Sequence, residues 1–177
     1  MHNGNFGDRS PVLILLSGLP GSGKTTFAHE LQVRIEADHI ESDAVRRSIA
    51  STPSYSHAES GAVFARVDAA ARGSMSQGRH AIVDATNLTN RDRRRFLRMV
   101  AELGVRLIAI RLTAPEAVIR GRLAGPRDGH SQAGLDIYER MRDRPQPLPV
   151  PCVVVDTRFS LAPAIDLVLR LIDDREL

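Results

Sequence analysis

Val12-Leu13-Ile14-Leu15-Leu16-Ser17-Gly18-Leu19-Pro20-Gly21-Ser22-Gly23-Lys24-Thr25-Thr26 decides how this chain is read. The apolar run 12–16 has no helical period, as expected of a strand buried on both faces. Gly18 through Thr25 follows the phosphate-binding pattern of Gly, four residues, Gly-Lys-Thr. Beyond it, Phe27, Leu31 and Ile35 recur every fourth residue, which suits an amphipathic helix. Strand, glycine loop and helix are the arrangement this pattern needs. Backbone N–H groups of the loop would cradle phosphate oxygens, with the helix start adding its positive dipole end. Lys24 would reach the β- and γ-phosphates, and the Thr25 hydroxyl would ligate Mg2+. Gly18, Pro20, Gly21, Ser22, Gly23, Lys24, Thr25 and Thr26 are therefore read as a nucleoside-triphosphate site. Lys24 is the only lysine in a chain of 24 Lys plus Arg, so this position keeps its ammonium while every other cation is arginine.

Working outward, strands are expected at 12–17, 38–42, 80–84, 105–112 and 152–156. Helices are expected at 24–36, 43–50, 57–77, 90–103, 115–123, 133–143 and 162–173. Alternation of this kind predicts an α/β fold with a parallel sheet covered on both faces. Thr89 and Asp92 resemble a shortened capping box, and Gly78 and Gly104 stand where helices should stop. Phe96, Met99, Val100 and Leu103 form the expected buried face of the fourth helix. At 177 residues the chain fits one domain over 11–177, with residues 1–10 a frayed tail. No apolar stretch is long enough to span a membrane. The single cysteine, Cys152, suits a reducing cytoplasm and reads as buried packing. The formal charge of +3 is modest and does not by itself announce nucleic acid.

Ligands of such sheets bind beyond the carboxyl ends of the strands, so three polar clusters should converge there. Asp43, after the second strand, is placed to take a proton from an attacking hydroxyl; it also reads as a helix N-cap. Arg46, one turn later, can hold an anionic group of an acceptor. Asp84 ends the third strand as a magnesium-holding carboxylate, with Thr86 and Asn87 beside it for the acceptor. Arg120, Arg122 and Arg127 bracket Leu123-Ala124-Gly125-Pro126, a pattern that suits a lid able to swing over ATP. Arg91, Arg94, Arg95 and Arg98 share one helical face, which reads either as a solvated surface or as a nucleic-acid track.

These residues together resemble the small P-loop kinases. The nearest in pattern are 5′-hydroxyl polynucleotide kinase domains and their bacterial relatives; zeta-toxin-like and antibiotic phosphotransferase-like kinases are more distant. The resemblance spans residues 11 to 173. It implies a three-layer α/β/α sandwich with a five-stranded parallel sheet of order 2-3-1-4-5 and a mobile arginine lid. It also implies that Asp43 is the general base, Arg46 the acceptor-site arginine and Arg127 the catalytic lid arginine. Arg122 would stack on the adenine, and Asp156-Thr157-Arg158 would lie near the base. Ala85 stands directly before Thr86, where polynucleotide kinases carry an aspartate. The expected activity is transfer of the γ-phosphate of ATP to a polynucleotide 5′-hydroxyl, a nucleoside or another small molecule. The alternative is a P-loop ATPase or nucleotide-dependent regulatory protein. A guanine-specific switch is disfavoured, because its Asn-Lys-x-Asp element needs a second lysine.

Overall fold

The computed structural model describes residues 10–50, 52, 54, 56–125 and 134–174. Five strands, β1 (Val12–Ser17), β2 (Ala37–Glu41), β3 (His80–Asp84), β4 (Arg106–Thr113) and β5 (Cys152–Asp156), form one parallel sheet of order β2-β3-β1-β4-β5. Seven helices among the described residues cover it: α1 (Lys24–Gln32), α2 (Ser42–Ile49), α3 (His57–Ser76), α4 (Asn90–Leu103), α5 (Glu116–Ala124), α6 (Leu135–Met141) and α7 (Ala162–Asp173).

β1 sits in the centre, and its alternation sorts the two cores. Val12, Ile14 and Leu16 face one side with Phe27, Leu31, Ile165 and Val168 of α1 and α7. Leu13 and Leu15 face the other with Val63 and Val67 of α3 and Phe96 and Met99 of α4. A strand buried on both faces has no polar position to offer, which is why its sequence runs unbroken. A smaller cluster of Ile119, Leu123 and Tyr138 joins α5 to α6.

Local signals explain most boundaries. Thr89 and Asp92 form a reciprocal capping box at the start of α4. Gly104 closes the same helix in the left-handed region at φ 64°. α1, expected to reach residue 36, stops at Gln32. Val33 is 83% exposed and the chain must already turn toward β2, so Ile35 packs on the core from outside the helix. On α4 the buried face is Phe96 and Met99; Leu103, in the last turn, is exposed. Cys152 is half-buried on the edge strand rather than buried.

Candidate active site

The site begins where β1 stops. The Gly18 amide donates to the Thr86 carbonyl at 3.0 Å, tying the loop to the segment after β3. A Cβ on Gly18 would lie 2.5 Å from Ser22 Oγ and 2.6 Å from the Leu112 carbonyl oxygen, so only glycine fits. Gly23 takes φ 88°, in the left-handed region, to turn the chain into α1. As the N-cap of α1 it supplies no side-chain acceptor, so the first amides of the helix have no cap from it. Ser22 is fully buried, and its hydroxyl has no partner among the described residues. Lys24 donates to the Gly18 and Leu19 carbonyls, each at 3.1 Å. Burial lowers the Lys24 pKa from its ordinary value, while Asp84, Asp43 and Glu41 oppose that shift.

Asp43 therefore lies close enough for its charge to act on Lys24 and also on Glu41. The expected convergence of the loop with the ends of β2 and β3 is present. Thr25 Oγ1 donates to Asp84 Oδ2 at 2.8 Å, and His39 Nε2 meets the same oxygen at 3.2 Å. Burial alone would push Asp84 up; His39, Lys24 and Thr25 outweigh it and hold the carboxyl below its usual range. Glu41 stands directly across the β2–β3 ladder from Asp84. It is 8% exposed and its Oε1 has no hydrogen-bond partner among the described residues. Burial, with Asp84 and Asp43 adding to it, pushes Glu41 up to about 7.

On the acceptor side, Asp43 and Arg46 are one turn apart on α2. Arg46 is buried and donates to Glu59 of α3. Glu59 also accepts from the Ser54 hydroxyl and amide. The Ser54 hydroxyl and Arg46 together hold the Glu59 carboxyl down at about 2. Asn87 is fully buried at φ 44°, a backbone region that a few non-glycine residues such as asparagine tolerate. Its Nδ2 donates to the Leu16 carbonyl at 2.8 Å, and its own carbonyl accepts from Ser17 Oγ. The Asn87 Nδ2 thus holds β1 to the β3 loop, while its Oδ1 is buried with no partner among the described residues. Thr86 is half-buried, with its carbonyl on Gly18.

On the opposite flank, Arg122 donates to the Gly21 carbonyl at 3.2 Å and to Thr157 Oγ1 and O at 2.8 Å. Arg158 pairs with Asp156 at 2.6 Å and its guanidinium lies 5.1 Å from the centre of the exposed Phe159 ring. Arg122 and Thr157 thus abut the phosphate loop. Arg127 lies outside the described residues.

Residues 13–148 match the AAA_33 family, described as an AAA domain. The chain belongs to this family. No curated protein matches it by sequence. Among solved structures, it is similar to the Mycobacterium tuberculosis APS kinase CysC, in complex with AMPPNP and APS, at 16% identity and a TM-score of 0.74 over 94% of this chain and all of that one. A putative kinase from Chloroflexus aurantiacus is similar at 22% identity and a TM-score of 0.75, covering 94% of this chain and 98% of that one. Chaetomium thermophilum Kti12, in complex with ADP-AlF3, is similar at 21% identity and a TM-score of 0.72, covering 90% and 98%. The P-loop kinase fold is therefore shared. A narrower kinship with polynucleotide kinases or zeta toxins does not emerge from these matches.

In this AAA domain the polar groups suit a nucleotide with magnesium. The loop glycines leave a cradle that side chains would fill, and Ser22 and Lys24 supply donors within it. Thr25, Asp84 and Glu41 form an oxygen-rich corner with more carboxylate than cation. No group of three His, Cys, Asp or Glu among the described residues could hold an ion alone. Magnesium keeps waters and takes phosphate oxygens alongside one or two protein ligands, and Thr25 with Asp84 can supply those.

Several residues of the site escape sequence reading: His39 on Asp84 and Glu59 on Arg46 show no local signal, and two more are instructive. Glu41 looks like an ordinary strand end until the register sets it opposite Asp84. Arg93, fully buried, donates to the carbonyls of Asn87, Leu88, Gln146 and Pro147 at 2.7–2.9 Å and to the Asn90 side chain at 3.3 Å. It clamps the segment that follows α6 onto the β3 loop. Its one signal is phase: it lies three residues before Phe96, on the apolar side of α4.

Proposed function

We propose that this chain is an ATP-dependent kinase that transfers the γ-phosphoryl group to a hydroxyl acceptor. The observation that carries this reading is the register of β2 on β3: Glu41, two residues before Asp43, stands opposite Asp84, and Asp84 accepts from Thr25 of the phosphate loop. Asp43 takes the proton of the acceptor hydroxyl as its oxygen bonds to the γ-phosphorus. The bond from that phosphorus to the β–γ bridging oxygen breaks, and ADP leaves with the electron pair. The loop amides, Ser22 and Lys24 hold the phosphates. Thr25 and Asp84 would hold magnesium, whose positive charge would offset that of the phosphates.

Arg46 serves the acceptor's anionic group by exchanging Glu59 for it, with Thr86 and Asn87 bounding that side. Arg122 and Arg158 serve the base end, and Arg127 is assigned the role of the catalytic arginine toward the transferred group.

Incubation with γ-labelled ATP, magnesium and a panel of nucleosides, sugars and 5′-hydroxyl oligonucleotides tests the proposal. Label in an organic acceptor supports it. Label released only as inorganic phosphate in every mixture contradicts it and leaves the ATPase reading.

A further inference from the structure

Several surface arginines of this chain are neutralised within the fold. Arg34, Arg72, Arg79, Arg120, Arg142 and Arg158 each meet a carboxylate. Arg91, Arg94 and Arg98 do not: all three are exposed, and none has an ion pair or hydrogen bond among the described residues. With Arg95 they line one wall of an open groove between α3 and α4, of about 480 Å³, whose other wall is Ala65 and Asp68. Asp68 is already engaged by Arg72 at 2.9 Å, and Arg72 also binds Glu102. Arg95 lies 4.7 Å over the Phe64 ring, and its Nε is buried with no partner. Four guanidinium groups at spacings of three and four residues repel one another. Asp68 is the one carboxylate among the lining residues, and Arg72 already engages it.

We infer that the α3–α4 groove binds the phosphodiester backbone of a nucleic-acid strand. α4 starts directly after the β3 loop, so Arg91 and Arg94 lie toward the carboxyl end of the sheet with Lys24 and Asp43. Arg98 lies about 10 Å farther along, at 1.5 Å per residue. A track of that length meets more than one phosphate, and guanidinium groups match phosphate oxygens in pairs. Arg95 covers the one aromatic ring beside the groove, so bases have no platform there and contact is to the backbone. Four arginines against a single groove carboxylate that Arg72 already engages leave the track net positive. This binding requires no phosphoryl transfer and stands apart from the kinase reading.

The test is fluorescence anisotropy of a 3′-labelled 20-nucleotide single strand, without ATP, from 50 to 200 mM salt. The full chain, Arg94→Ala/Arg98→Ala and Arg170→Ala, an exposed arginine on α7 across the sheet, are compared, with matched unfolding curves as the fold control. The double variant is expected to bind about tenfold more weakly at low salt. Its log–log salt slope should be smaller by about 1.4, at about 0.7 per lost phosphate contact. Arg170→Ala should match the parent. Absence of binding, or equal affinity and slope in the double variant, overturns the proposal. So does displacement of the strand by equimolar inorganic tripolyphosphate, which would assign the groove to a free oligophosphate.

Discussion

The donor and acceptor sides of the site are built differently. On the donor side, Gly18 to Thr25 is one contiguous stretch whose groups are positioned by backbone geometry: glycine where no Cβ fits, a left-handed turn, then a helix start. On the acceptor side, Asp43 and Arg46 come from α2, but Arg46 is positioned by Glu59 of α3, which Ser54 steadies in turn. Phosphate binding is local to a short sequence. In the proposed kinase, acceptor recognition depends on how two helices pack and can change without touching the loop.

Substitutions should expose that asymmetry. Lys24→Ala strikes the local side and should have the largest effect, cutting labelled-phosphate transfer about a thousandfold, as loss of a preorganised donor does. A modest loss would mean that the loop amides suffice.

Arg93→Leu strikes the packed side. It leaves several buried carbonyls short of a charged donor and should destabilise the chain by about 3 kcal/mol in urea titration. Amide exchange at Gln146, which donates to the Leu88 carbonyl, should rise with it. Unchanged exchange at Gln146 would show that the clamp is not what holds that segment.

Glu41→Gln is smaller and reverses sign. Glu41 titrates near 7 when folded, against an ordinary 4.5. The folded state thus holds an extra proton between those values, and stability falls as pH rises through that window. The glutamine variant should match the parent at pH 4 and exceed it by about 2 kcal/mol at pH 8, in nucleotide-free protein without magnesium. No difference at pH 8 would mean that solvent or a counterion already relieves Glu41.

The parts legible in the sequence are those with a short-range cause. The phosphate loop, the β3 carboxylate, the capping box of α4 and the paired faces of β1 each follow from residues a few positions apart. The strand order was implied by family resemblance and agrees with the observed sheet. What escaped required tertiary register. Glu41 becomes unusual only opposite Asp84. Arg93 is camouflaged by Arg91, Arg94, Arg95 and Arg98, since a buried arginine among exposed ones is told apart only by its phase with Phe96. Asn87, read as an acceptor contact, also ties the loop to β1 through its Nδ2 on Leu16, a role that its left-handed backbone sets and that its position in sequence does not show. The end of α1 was missed because Ile35 continues the apolar spacing after the chain has left the helix.

The central claim is that Asp43 acts as the base toward a hydroxyl beside the bound triphosphate. Asp43→Asn, assayed in parallel for ATP affinity and for transfer to whichever acceptor the panel identifies, tests it most directly. The account predicts ATP affinity within about twofold of the parent and transfer slower by about a hundredfold or more. Turnover at the parental rate would contradict it.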